Sequence, residues 1–171
     1  MLIRAALSFA LVLGVKPLAC APQHLPPPRP GCVVRRVADG DTFYCQDGRK
    51  VRLIGVDSPE LQQHPFGEQA RQALVQLIPP GTAVELQPDV APTDRYGRVL
   101  AYVWSDSKLV NEAMVRNGWA VLYTVPPNVK YADRLEGAQK EARARRTGLW
   151  LGSGFECLPS EFRRGRCLSR P

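Results

Sequence analysis

The chain has 171 residues, 44% of them hydrophobic, and a formal charge of +7. That length suits one domain with additions at its ends, and that composition excludes a disordered polyelectrolyte. The positive balance excludes an acidic solubilising protein and favours polyanions, but nucleic acid and anionic membrane surfaces satisfy it equally.

Residues 1–21 read as a signal peptide. Arg4 supplies the positive start, residues 5–15 are an apolar run too short to span a bilayer, and Ala19-Cys20-Ala21 fits small-residue cleavage. Leu18-Ala19-Cys20 also resembles a lipobox, so acylation at Cys20 is the alternative to a freely exported chain, periplasmic or extracellular. Cleavage after Ala21 removes two of the 23 basic residues and no acid, leaving 21 against 16, or +5. It also leaves Cys32, Cys45, Cys157 and Cys167. An even count in an exported chain predicts disulfides, and pairing 32 with 45 and 157 with 167 closes the shortest loops. Zinc is disfavoured, because the chain has no C-x-x-C and only two histidines, His24 and His64.

Residues 22–31 form a Pro-rich linker. Residues 32–45 carry β-branched residues on both sides of Ala38-Asp39-Gly40-Asp41, a hairpin signal. Residues 49–56 predict a third strand with Val51 and Leu53 on one face and Arg52 on the other, ended by Asp57-Ser58-Pro59-Glu60. Helical spacing covers 68–78, stopped by Pro79-Pro80-Gly81. Strands are expected at 82–87 and 99–104, and helices at 110–117 and 128–146. Trp104, Trp119 and Trp150 suit core positions. A basic, cysteine-bearing tail follows from 152 to 171. Five early strands with helices between and after them predict an α+β fold in which a five-stranded Greek-key barrel of the OB type carries about three helices.

The chemistry gathers at turns and strand ends. Asp41 and Asp57 have no local partner of opposite sign in sequence, and an oxygen-ligated cation such as Ca²⁺ suits them. Taken one at a time, each is equally an ordinary turn-capping Asp. Arg52 and Arg98 could clamp a phosphodiester if they converge, or be solvated charges if they do not. Glu60 suits a general base within reach of a water.

Together, VADGDTF at 37–43, VRLIGVDSPE at 51–60, TDRYGRVLAYVW at 93–104 and VNEAMVRNG at 110–118 make the chain resemble the staphylococcal nuclease (thermonuclease) family, over about residues 32–150. The resemblance implies a calcium site at Asp41 and Asp57, with the main-chain carbonyl of Ser58 where the family usually has Thr. It implies catalytic Arg52, Arg98 and Glu60, with Tyr96 and Tyr123 lining the nucleotide site. It further implies a monomeric nuclease acting on DNA and RNA with little sequence preference, leaving 3′-phosphate ends, with no stable protein partner. The loop at 61–67 is shorter than the lysine-rich excursion of the family archetype. A catalytically silent binding module of the same fold is the rival reading, and an envelope-attached structural protein is a third.

Overall fold

A computed structural model describes residues 31–167. The expected signal peptide, Cys20, His24 and nearly all of the Pro-rich linker lie outside the described residues.

The strands are β1 (Gly31–Val37), β2 (Thr42–Cys45), β3 (Lys50–Leu53), β4 (Val56–Asp57), β5 (Ala83–Gln87), β6 (Val99–Ser105), β7 (Lys108–Leu109) and β8 (Val121–Leu122). Antiparallel pairing joins β1 to β2, β2 to β3, β1 to β5 and β5 to β6. A parallel pairing of β3 with β6 closes the circuit. The result is the expected closed five-stranded barrel, which has no free edge along that circuit. Its interior takes the inward residues of alternating strands: Val34, Phe43, Val51, Leu53 and Val103 are at most 1% exposed.

Helices α1 (Phe66–Leu77), α2 (Val110–Arg116) and α3 (Ala132–Arg145) pack outside the barrel. A single 3₁₀ turn (Gly148–Leu151) and a short α4 (Pro159–Arg163) follow. The disulfides are Cys32–Cys45 and Cys157–Cys167, with Cα–Cα separations of 5.8 and 5.6 Å. Val121, Leu149 and Phe155 form a second small core with Phe66, Trp119 and Trp150 packed on it, and this core fixes the C-terminal segment to the domain. All three tryptophans are half-buried. No helix among the described residues is long and apolar enough to cross a membrane.

Two departures from the sequence expectation have physical causes. The single strand expected at 49–56 is broken after Leu53, because Gly55 adopts φ +77°, a left-handed turn that glycine adopts without steric cost. Buried Asn111 on α2 clamps that break, donating from Nδ2 to the carbonyls of Ile54 and Ala101 and accepting from the Val103 N–H. The break turns the chain into β4, and so directs Asp57. The last long helix starts at Ala132 and not near 128, because Asn128 spends its side chain on the Ala91 N–H and C=O.

Candidate active site

The hairpin tip before β2 and the turn after β4 meet at Gly40. A Cβ there would lie 2.6 Å from Ser58 Cβ and 2.7 Å from Ala70 Cβ, so only glycine permits the contact. The closeness lets Asp41 reach across. Its Oδ2 accepts from the Ser58 N–H at 2.9 Å and the Ser58 hydroxyl at 3.1 Å, and its Oδ1 accepts from the Thr42 hydroxyl at 2.9 Å.

Arg52, on the outward face of β3, is the hub. Its Nη1 donates to the carbonyls of Leu53 and Val56, both at 2.8 Å. Its Nε lies 3.1 Å from Asp41 Oδ1 and its Nη2 3.2 Å from Asp57 Oδ1. The sequence showed no partner of opposite sign near either aspartate. Instead Asp41 is 6% and Asp57 1% exposed, and both are paired with Arg52. The partner was invisible locally because it comes from the neighbouring strand and because Asp57 folds back under it.

Arg98 enters from the loop before β6. Asp94 holds it, accepting from Arg98 Nε at 2.7 Å and from the Arg98 and Tyr96 N–H groups at 3.0 and 2.9 Å. Tyr96 is 69% exposed, with the Arg95 guanidinium 4.8 Å from its ring centre. Asp41, Arg52, Ser58, Glu60, Tyr96, Arg98 and Tyr123 all line one polar cleft of about 570 Å³. Asp57 lies beneath, held by residues of the cleft wall. Arg52, Arg98 and Tyr123 also border an adjoining pocket of about 290 Å³, whose remaining wall is largely apolar, with Leu53, Ile54, Leu100 and Val125. His64 is exposed and lies outside both.

Asp39, Thr42, Pro59, Arg95 and Arg163 also line the cleft and were not expected as site residues; Arg163 makes the most contacts there to the expected ones. Arg163, from α4, donates from Nη1 to Asp57 Oδ1 at 3.0 Å and Glu60 Oε1 at 2.7 Å, and from Nη2 to Asp57 Oδ2 at 2.8 Å. Sequence offered one signal for it: a basic run bracketed by two cysteines.

The electrostatics show a site crowded with carboxylates. Burial, followed by the negative charge of Asp41, pushes Asp39 up to about 7. Burial would raise Asp41 too, but the Arg52 charge and the Ser58 N–H hold it below the ordinary range. Asp57 stays above its ordinary value because burial outweighs Arg163 and Arg52. Such a cluster suits an added cation. Its donors are oxygens, as a hard cation requires, yet no three His, Cys, Asp or Glu side chains form a ready cage among the described residues. Two carboxylates completed by main-chain oxygen, water and substrate phosphate are a recognised way to hold such an ion. The residues therefore fit a divalent cation of that kind.

Guanidinium groups facing carboxylates across an open cleft on a rigid barrel are the equipment of a phosphodiester hydrolase. Comparison with known proteins makes the class specific. A family model described as staphylococcal nuclease homologue matches residues 50–152. The chain is 39% identical over 126 residues to a thermonuclease of Staphylococcus intermedius, covering 69% of this chain and 74% of that protein. It is 38% identical to the thermonuclease of Staphylococcus hyicus, with 68% and 73% covered. It is 36% identical over 130 residues to the endonuclease YncB of Bacillus subtilis, with 70% and 61% covered. The chain belongs to the staphylococcal nuclease family of phosphodiester hydrolases.

Proposed function

We propose that the protein is an exported nuclease that hydrolyses DNA and RNA at this cleft with the help of one calcium ion, leaving 3′-phosphate ends. The observation that carries the reading is the convergence of Asp41, Arg52, Ser58, Glu60, Tyr96 and Arg98, drawn from three separate stretches of sequence, on one cleft.

Asp41, Asp57 and the main-chain carbonyl of Ser58 would hold the cation. When bound, it polarises the scissile phosphate and lowers the pKa of the attacking water. The other steps belong to the chain. Glu60 accepts the proton of that water at a carboxylate oxygen, or orients the water for in-line attack at phosphorus. Arg52 and Arg98 donate to the equatorial phosphate oxygens, where charge builds as the water adds and the bond to the 5′-oxygen breaks, that oxygen leaving as a hydroxyl with a proton from solvent. Arg52 is held by two main-chain carbonyls and two carboxylates, which leaves one Nη2 N–H open to a phosphate oxygen in this arrangement. The adjoining pocket, with Tyr123 at its edge, is shaped for a base, and exposed Tyr96 offers a second ring. Stacking of this kind is tolerant of sequence, which agrees with action on both nucleic acids. Two disulfides agree with export to an oxidising compartment.

Plasmid nicking with calcium and with excess chelator tests the reading. Cleavage should appear with calcium, vanish with chelator, and weaken as salt rises. Nucleic-acid binding with no cleavage under any calcium concentration would leave the silent binding module as the correct reading.

A further inference from the structure

Arg163 reaches the cleft from a segment that begins after the family match ends at residue 152. Several independent attachments hold that segment in place. Phe155 packs against Trp150, with ring centres 4.5 Å apart, in the second core. Gln63, only 7% exposed, accepts from the Glu60 N–H at 2.9 Å and donates to the Cys157 carbonyl at 3.0 Å, tying the Glu60 turn directly to the segment. The Cys157–Cys167 bond then closes the chain around α4. The guanidinium lands with both terminal nitrogens on Asp57 and one of them also on Glu60.

We propose that Arg163 is a positioning residue: a tethered counter-ion that holds the carboxylates of Asp57 and Glu60 together and that a divalent cation must displace from Asp57 on binding. The inference rests on the cation reading given above. A two-pronged arginine contact uses both Asp57 oxygens, and Oδ1 already accepts from Arg52. These three contacts leave one acceptor position, on Oδ2, so a cation approaching Asp57 meets the Arg163 charge directly beside the open lone pair. The Arg163 side chain is 40% exposed, so it can swing off Asp57 while its contact with Glu60 persists. The C-terminal segment thereby sets the calcium concentration at which the cleft fills, and Glu60 keeps a partner that orients it in either state.

Calorimetric titration of calcium chloride into the disulfide-intact chain, without nucleic acid, tests this apart from activity. Arg163→Gln and Arg163→Ala should each bind calcium about tenfold more tightly than the unsubstituted chain, the size of one charge contact. Arg163→Lys keeps the charge and should bind within about twofold of the unsubstituted chain. Thermal melts confirm that each variant is folded, and the glutamine variant covers the case where truncation to alanine loosens α4. Calcium affinity unchanged or weaker in both neutral variants overturns the proposal while the cation site stands. No calcium binding by any form, including the unsubstituted chain, overturns it together with the cation reading.

Discussion

The barrel rim and the C-terminal segment both deliver charged groups to one cleft, by different physical routes. Asp41, Arg52 and Asp57 are placed by backbone. Strand alternation aims Arg52 outward from a fully buried neighbour on each side, Gly40 brings two turns into contact, and Asn111 clamps the break that directs Asp57. Arg163 is placed by attachments instead: one short helix, one disulfide, one glutamine and a small aromatic core. Groups fixed by a closed sheet ladder stay put as long as the barrel is folded. A group fixed by a few peripheral contacts can move while the barrel remains intact. The first arrangement suits residues that must be pre-organised for chemistry, and the second suits a residue that yields its place.

The two disulfides offer the largest test of this contrast. Cys32–Cys45 joins β1 to β2 inside the barrel, and Cys45 is fully buried. Replacing both cysteines with alanine should lower stability in urea unfolding by about 2–4 kcal/mol. The same change at Cys157 and Cys167 should lower it by less than about 1 kcal/mol, because it frees only a locally unfolding unit. It should also raise amide exchange in 153–167 alone. Equal losses from the two pairs would break the comparison and place the tail in the barrel's cooperative unit.

A smaller effect concerns the helices behind the barrel. Glu112 on α2 takes guanidinium contacts from Arg116 and from Arg134 on α3. Burial alone would raise its pKa, but Arg134 and Arg116 outweigh that and hold it below the ordinary 4.5. A depressed carboxylate adds stability above its unfolded value and loses it as the pH falls through the lower folded value. Glu112→Gln should therefore cost at most about 1 kcal/mol near neutrality, after allowance for solvent screening, and progressively less as the pH falls below 4.5. An acid-unfolding series comparing the two chains reads this directly. A cost that stays constant from pH 7 to pH 3 would show that the contact contributes through packing and not through charge.

The barrel was legible because its signals are local. Val51-Arg52-Leu53 alternates cleanly, Pro79-Pro80-Gly81 stops α1, and Gly97 and Gly118 mark turns. The cleft residues named from sequence lie within or next to those signals. What sequence hid is what depends on distant pairing. The aspartates looked unpartnered because Arg52 reaches Asp41 from the neighbouring strand, 11 residues on. The strand break at Gly55 was hidden because its clamp, Asn111, lies 57 residues away from Ile54. Arg163 was hidden most completely: it is 106 residues from Asp57, on a five-residue helix too short to show a periodicity.

On the proposed function, the barrel-borne arginine at the hub of the cleft performs chemistry and does not merely hold the fold. Single-turnover cleavage of a defined oligonucleotide at saturating calcium, with Arg52→Ala beside the unsubstituted chain, tests it most directly. The expected result is a rate lower by about 10²–10³ for the variant, with substrate binding reduced far less, because the missing donors act mainly on charge that develops in the transition state. A folded Arg52→Ala variant that cleaves at the unsubstituted rate would contradict the account.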